Sequence, residues 1–179
     1  LVGSEMCIRD SFPTFGGMSV KEMEAICVGL DDTMDENIIA QGPQFIEYLC
    51  NELEDAGIPV VTPPGGLGCH LDAMKFVPHI ARKDYPAGSL AAAIYIASGA
   101  RGMERGAIDE PWDDADVEPY GAMELVRLAV PRRVYTVSQM NYLIDRICWL
   151  YDNRELIGGL KFETEGPHNF YDKLNSVSD

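Results

Sequence analysis

An arginine stands inside an otherwise apolar run, Leu125-Val126-Arg127-Leu128-Ala129-Val130. A run of this length and content reads as a strand, Glu124–Val130, stopped by Pro131. A guanidinium in such a strand is costly unless an anion pairs with it. Its planar fork matches a carboxylate at two points. One reading of Arg127 is therefore a clamp for a substrate carboxylate. The structural alternatives are a salt bridge to Glu104 or Glu124, or an edge strand that leaves Arg127 in water.

The second candidate is Arg101-Gly102-Met103-Glu104-Arg105-Gly106. In an extended chain Met103 and Arg105 share one face, and Gly102 and Glu104 the other. A soft apolar surface beside a cation suits an aromatic ring that bears an oxygen, whereas the bland reading is a solvated turn with a local charge pair. His70 and Asp72, two residues apart, could share a strand face. A lone pair of this kind is a weak metal signal, and His70, His79 and His168 read first as satisfied core or surface histidines. The acidic stretch Asp109–Asp116 lacks the central glycine and terminal glutamate of a calcium loop. Gly16-Gly17 and Gly65-Gly66 read as turns, not phosphate-binding loops.

The elements that must position these residues are legible. Ser19 and Glu22 make a capping box ahead of Met23, Ile26, Cys27 and Leu30 at helical spacing. A second helical stretch runs from about Asp35 to Ala56, broken near Gly42-Pro43 and closed by Gly57. Ile58–Val61 and Leu67–Leu71 read as strands around the turn Pro63-Pro64-Gly65-Gly66. Pro86 opens a helix that Gly99 ends, with Leu90, Ile94 and Ala97 on its apolar face. Arg101–Arg105 is extended, and Ala107–Gly121 is a polar loop. Thr136 and Gln139 cap a last long helix with Leu143, Ile144, Ile147 and Leu150 as its stripe. Leu160–Glu163 reads as a final strand. The fold class is α/β (α+β), an open sheet with packed helices, as in the smaller domain of a larger enzyme.

The formal charge is −15, with 29 acidic against 14 basic side chains. Such a chain repels phosphate backbones and anionic surfaces, so nucleic acid is a poor partner. No apolar run approaches the length that spans a bilayer. Cys27, Cys50, Cys69 and Cys148 form no C-x-x-C pair and read as buried reduced thiols of a cytoplasmic protein. The opening residues, Leu1–Ser11, look like a sequencing adapter read in frame. They are expected to form a tail outside the fold, with the native sequence entering near Phe12 and the domain covering residues 12–179.

Several blocks together resemble one family. Phe12-Pro13-Thr14-Phe15-Gly16-Gly17-Met18, Glu22-Met23-Glu24 and Val28-Gly29-Leu30 are similar to the segment after the cofactor lysine in tryptophanase and tyrosine phenol-lyase. Gly57-Ile58-Pro59-Val60, Leu71-Asp72-Ala73, Pro78-His79-Ile80, Tyr85-Pro86-Ala87 and Met103-Glu104-Arg105-Gly106 continue the likeness. Its most specific block is Glu124–Thr136. The resemblance covers about Phe12 to Phe170.

It implies the C-terminal small domain of a fold type I pyridoxal-phosphate enzyme. Such an enzyme splits an aromatic amino acid into pyruvate, ammonia and phenol or indole, with the cofactor as electron sink. It further implies that Arg127 grips the substrate carboxylate, and that Met103, Arg105 and Phe170 contribute to substrate binding. Tyrosine phenol-lyases carry Met-Glu-Arg at the middle block, where tryptophanases place an apolar residue at the position of Arg105, so tyrosine is the favoured substrate. The Schiff-base lysine, the phosphate-binding residues and the ligands of a monovalent cation such as potassium are expected upstream, leaving this chain inactive alone. The full protein is expected to form a homo-oligomer, a homotetramer. Leu67 and His70 depart from the family pattern, which has histidine and an apolar residue there. The segment Pro167-His168-Asn169-Phe170 also departs from it. A different class of function, a non-catalytic acidic binding domain that keeps the fold, is the competing reading.

Overall fold

A computed structural model describes residues 18–108, 123–131, 133–163 and 174–176. The adapter-like segment Leu1–Ser11, the Phe12–Gly17 block, the acidic stretch after Ile108, His168 and Phe170 lie outside the described residues. The chain divides into two compact units, Leu1–Ala40 and Gln41–Asp179.

The first unit carries helix α1, Val20–Asp32, and the single turn α2, Glu36–Ile39. The expected capping box opens α1: the Ser19 backbone N–H donates to Glu22 Oε2 at 2.9 Å. Accepting first that N–H and then the Ser19 hydroxyl holds the Glu22 carboxyl below its ordinary value. No residue of α1 is buried. Cys27 is consequently exposed, which corrects its reading as a buried thiol.

The second unit begins with α3, Gln41–Asp55. The predicted interruption falls at Ala40, and Pro43 sits in the first turn, where a missing N–H loses nothing. Ile46, Leu49, Cys50 and Leu53 recur at helical spacing and are all buried. Gly57 closes the helix at φ 77°, and Ile58 N–H reaches back to the Leu53 carbonyl at 2.9 Å.

A three-stranded antiparallel sheet follows, with β1 (Gly68–Asp72), β2 (Met103–Arg105) and β3 (Leu125–Ala129) in the order β1-β3-β2. Ile58–Val61 does not become the expected strand. It contributes one bridge, Val60 to Leu71, because Pro59 has no N–H to donate and Pro63-Pro64 ends the segment soon after. Between β1 and β2 lie a short turn α4 (Ala73–Phe76) and α5 (Pro86–Ser98). Gly99 ends α5 with φ 74°, as the sequence predicts. The long helix α6, Val137–Asp152, opens with the Thr136/Gln139 capping box. Leu160–Phe162 is β4, but it is not the last strand, since it pairs with β5, Leu174–Ser176.

Strand alternation decides where the core sits. Cys69 and Leu71 of β1 and Val126 and Leu128 of β3 point one way and are buried. They join α3 (Leu49, Leu53), α5 (Leu90, Ile94) and α6 (Ile147, Leu150) in one apolar cluster. Burial of such side chains stabilises by about 1.5–3 kcal/mol each. The opposite sheet face carries His70, Asp72, Arg127 and Arg105 beside Leu125, Ala129 and Met103, and among the described residues it is only partly covered. The result is a mixed α+β fold with helices on one face of a small sheet, as expected. Among the described residues no helix is long and apolar enough to cross a membrane.

Candidate functional site

The uncovered sheet face carries the candidate residues in one row. Register places His70 opposite Arg127, and Met103 opposite Arg127 on its other flank. Side chains directly opposite in a sheet share a face. His70, Arg127 and Met103 therefore stand side by side across three strands. Arg105, two residues beyond Met103, joins the same face beside Leu125. The sheet thus brings Arg127, Met103 and Arg105 together, while Phe170 lies outside the described residues.

Both structural alternatives for Arg127 fail on this geometry. It lies at the centre of the middle strand, not on an edge. Glu104 and Glu124 belong to the alternate set that points to the other face. Among the described residues Arg127 has no carboxylate partner. Its Nη2 instead donates to the Met103 thioether sulfur at 3.1 Å, a weak acceptor for a cation. Its Nε is buried and makes no hydrogen bond. A guanidinium with no carboxylate partner among the described residues and only a thioether as acceptor is suited to receive an anion.

His70 is half-buried on this face. Burial, then the Arg127 guanidinium, then Arg105 push its imidazole below the ordinary value, opposed by a hydrogen bond to the Gly68 carbonyl. The ring is accordingly neutral near pH 7. Asp72, the carboxylate on the same strand face, is committed locally. It accepts the Lys75 N–H at 3.1 Å and pairs with Lys75 Nζ at 2.9 Å. His79 is structural, with its Nε2 2.9 Å from the Ile157 carbonyl. Among the described residues no group of three or more His, Cys, Asp and Glu side chains could hold a metal.

Glu124 plays a part that its sequence position does not reveal. It is 2% exposed, and its carboxylate accepts the Ala107 N–H at 2.8 Å and the Ala87 N–H at 3.1 Å. Ala87 lies in the first turn of α5, where free amides and the helix dipole favour an anion. Glu124 therefore joins the start of α5, the exit of β2 and the entry to β3, and holds the strands that carry Met103, Arg105 and Arg127. The available signal was a carboxylate just before an apolar strand, which is ambiguous without the register.

Among the described residues Met103 and Arg105 of the row are exposed, while His70 and Arg127 are half-buried. The larger cleft nearby, about 440 Å³, is lined by Arg101, Tyr135, Gln139 and Tyr142 among others, and includes none of the four row residues.

Curated proteins similar to this chain are lyases of aromatic amino acids by name. A tyrosine phenol-lyase of Symbiobacterium is 40% identical over 164 residues, 91% of this chain and 36% of the relative. A tyrosine phenol-lyase of Lacrimispora saccharolytica is 42% identical over 158 residues, 87% of this chain and 34% of the relative. This chain is a homologue of part of these lyases. A tryptophanase of Salinibacter ruber is also similar, at 38% identity over 92% of this chain and 35% of the relative. The chain spans about a third of the length of the relatives it matches. No family model matches it.

Proposed function

We propose that residues 12–179 form the C-terminal region of a pyridoxal-phosphate-dependent lyase acting on an aromatic amino acid. The favoured reaction releases phenol from tyrosine, with pyruvate and ammonia. Arg127 binds the substrate carboxylate. Met103 packs on the ring, and Arg105 hydrogen-bonds the phenolic oxygen. The observation that carries this reading is the placement of Arg127, Met103 and Arg105 on one sheet face, with the Arg127 Nε idle and no described carboxylate beside it. The names of the relatives support the same chemistry.

The described residues do not build a cofactor site. Lys21, Lys75, Lys83 and Lys161 are all exposed, and none belongs to a strand of the three-stranded sheet. In this reading the chain supplies substrate binding and orientation, and the cofactor lysine comes from elsewhere in the full polypeptide. An open face also needs a second wall to exclude water, which the rest of a cytoplasmic homo-oligomer would provide. Phe170 belongs to the substrate-binding group in this reading.

Arg105→Ile in the full polypeptide tests the assignment. It should reduce phenol release from tyrosine far more than elimination from an amino acid with a small leaving group, which needs the carboxylate clamp but not the ring contacts. Equal losses on both substrates would make Arg105 structural. Indole release from tryptophan, with tyrosine inert, would move the reading to a tryptophanase.

A further inference from the structure

His70 is used by nothing above, yet it pairs directly with Arg127 across β1 and β3. Val61 N–H donates to the His70 carbonyl at 2.8 Å. The main-chain groups of His70 therefore turn away from β3. In an antiparallel pair this makes His70 and Arg127 the non-hydrogen-bonded type, whose Cα atoms lie about 4.5 Å apart with side chains close together. Met103 occupies the other flank of Arg127. Met103 and His70 thus flank Arg127 on opposite sides within the sheet, with the Arg127 Nη2 turned toward Met103.

We propose that His70 is a specificity residue of this site, taking up one proton from solvent when a carboxylate docks on Arg127 and then donating a second contact to that carboxylate. The proposal rests on the reading of Arg127 as the clamp. The charge balance on this face supports it. The groups facing the imidazole among the described residues are Arg127 from β3, Arg105 from β2, and Asp72 on its own strand, tied to Lys75 of α4. The adjoining segment Ile58–Val61 brings no ionisable side chain. Burial first, then the Arg127 and Arg105 guanidiniums, push the free ring below its ordinary value. A bound carboxylate cancels part of that field and supplies an acceptor, so protonation becomes favourable only with ligand present.

The sign follows from linkage. A ring whose pKa rises on binding makes the ligand bind more tightly as pH falls through the bound-state value. The gain ends once the free ring is itself protonated. One proton limits the change to about tenfold in affinity per pH unit.

The test uses 3-(4-hydroxyphenyl)propionate, which has the ring and carboxylate but no amine to react with a cofactor. Its dissociation constant is measured on the full polypeptide from about pH 5.5 to 8.5, above the carboxylate range. Affinity should rise toward low pH in the wild type and be flat in His70→Phe and His70→Gln. In the wild type, the His70 ring resonances should titrate at higher pH with ligand than without, a readout that needs no variant. A flat wild-type profile, a slope that survives in both variants, or an unmoved ring titration would overturn the proposal. Affinity indifferent to Arg127→Ala would instead remove the clamp itself, and the proposal with it.

Discussion

Glu124→Ala should be among the most damaging single substitutions in the second unit. The carboxylate is buried and accepts two backbone amides, from Ala107 at 2.8 Å and Ala87 at 3.1 Å. Hydrogen bonds to a charged group contribute about 1.5–3 kcal/mol each. Burying the carboxylate offsets part of that sum. Its removal nonetheless leaves two buried donors without an acceptor, so the expected net loss is about 3–5 kcal/mol. Urea unfolding reads this directly. With a slope of about 2 kcal/mol/M, the midpoint should fall by about 2 M. Gly106 supplies an internal control. A Cβ there would lie 2.7 Å from the Glu124 carboxyl carbon and both its oxygens, and a carboxylate tethered at both oxygens cannot step aside. Gly106→Ala should therefore be costly in the wild type and much cheaper in the Glu124→Ala background, a coupling of about 1 kcal/mol or more. A loss below about 1 kcal/mol for Glu124→Ala, or additive effects of the two changes, would refute the tether.

Arg127→Ala in the full polypeptide should lower both substrate affinity and turnover. Truncating one side of a hydrogen-bonded charge pair costs about 2–5 kcal/mol, and the partial exposure of Arg127 points to the lower part, roughly a hundredfold in kcat/KM; wild-type kinetics would eliminate the clamp. Thiol labelling of the folded chain should modify the exposed Cys27 well before the buried Cys50 and Cys69. Cys148 should also lag, because burial first and then Asp145 and Asp152 push its thiol up. Mass mapping of a labelling time course checks the order, and early reaction of Cys69 would contradict its place in the core.

The helices were legible because their signals are local. Ser19/Glu22 and Thr136/Gln139 are capping boxes in both sequence and structure, and Pro86 and Gly99 bound α5 as read. The strands were less legible. Ile58–Val61 has the right side chains, but Pro59 has no N–H to donate, and the segment becomes one bridge. β5 carries no apolar run that would announce it, and exists only as the partner of Leu160–Phe162. Cys27 was misplaced because helical periodicity states which residues share a stripe, not whether anything covers it.

For the site, the residue types at Arg127, Met103 and Arg105 determined by themselves what chemistry was possible: an anion fork, and a soft surface beside a cation. Alternation within each strand also determined that Met103 and Arg105 share a face. Whether those two features belong to one site depended on register, which sets the pairing of residues far apart in the chain. That pairing placed Met103 and His70 on either side of Arg127, sent Glu104 and Glu124 to the opposite face, and made β3 the central strand. Register follows from which sheet face the helices bury, and a one-residue slip would exchange the two faces. Only the packed fold, with Leu71, Val126 and Leu128 against the helices, leaves the guanidinium row outward.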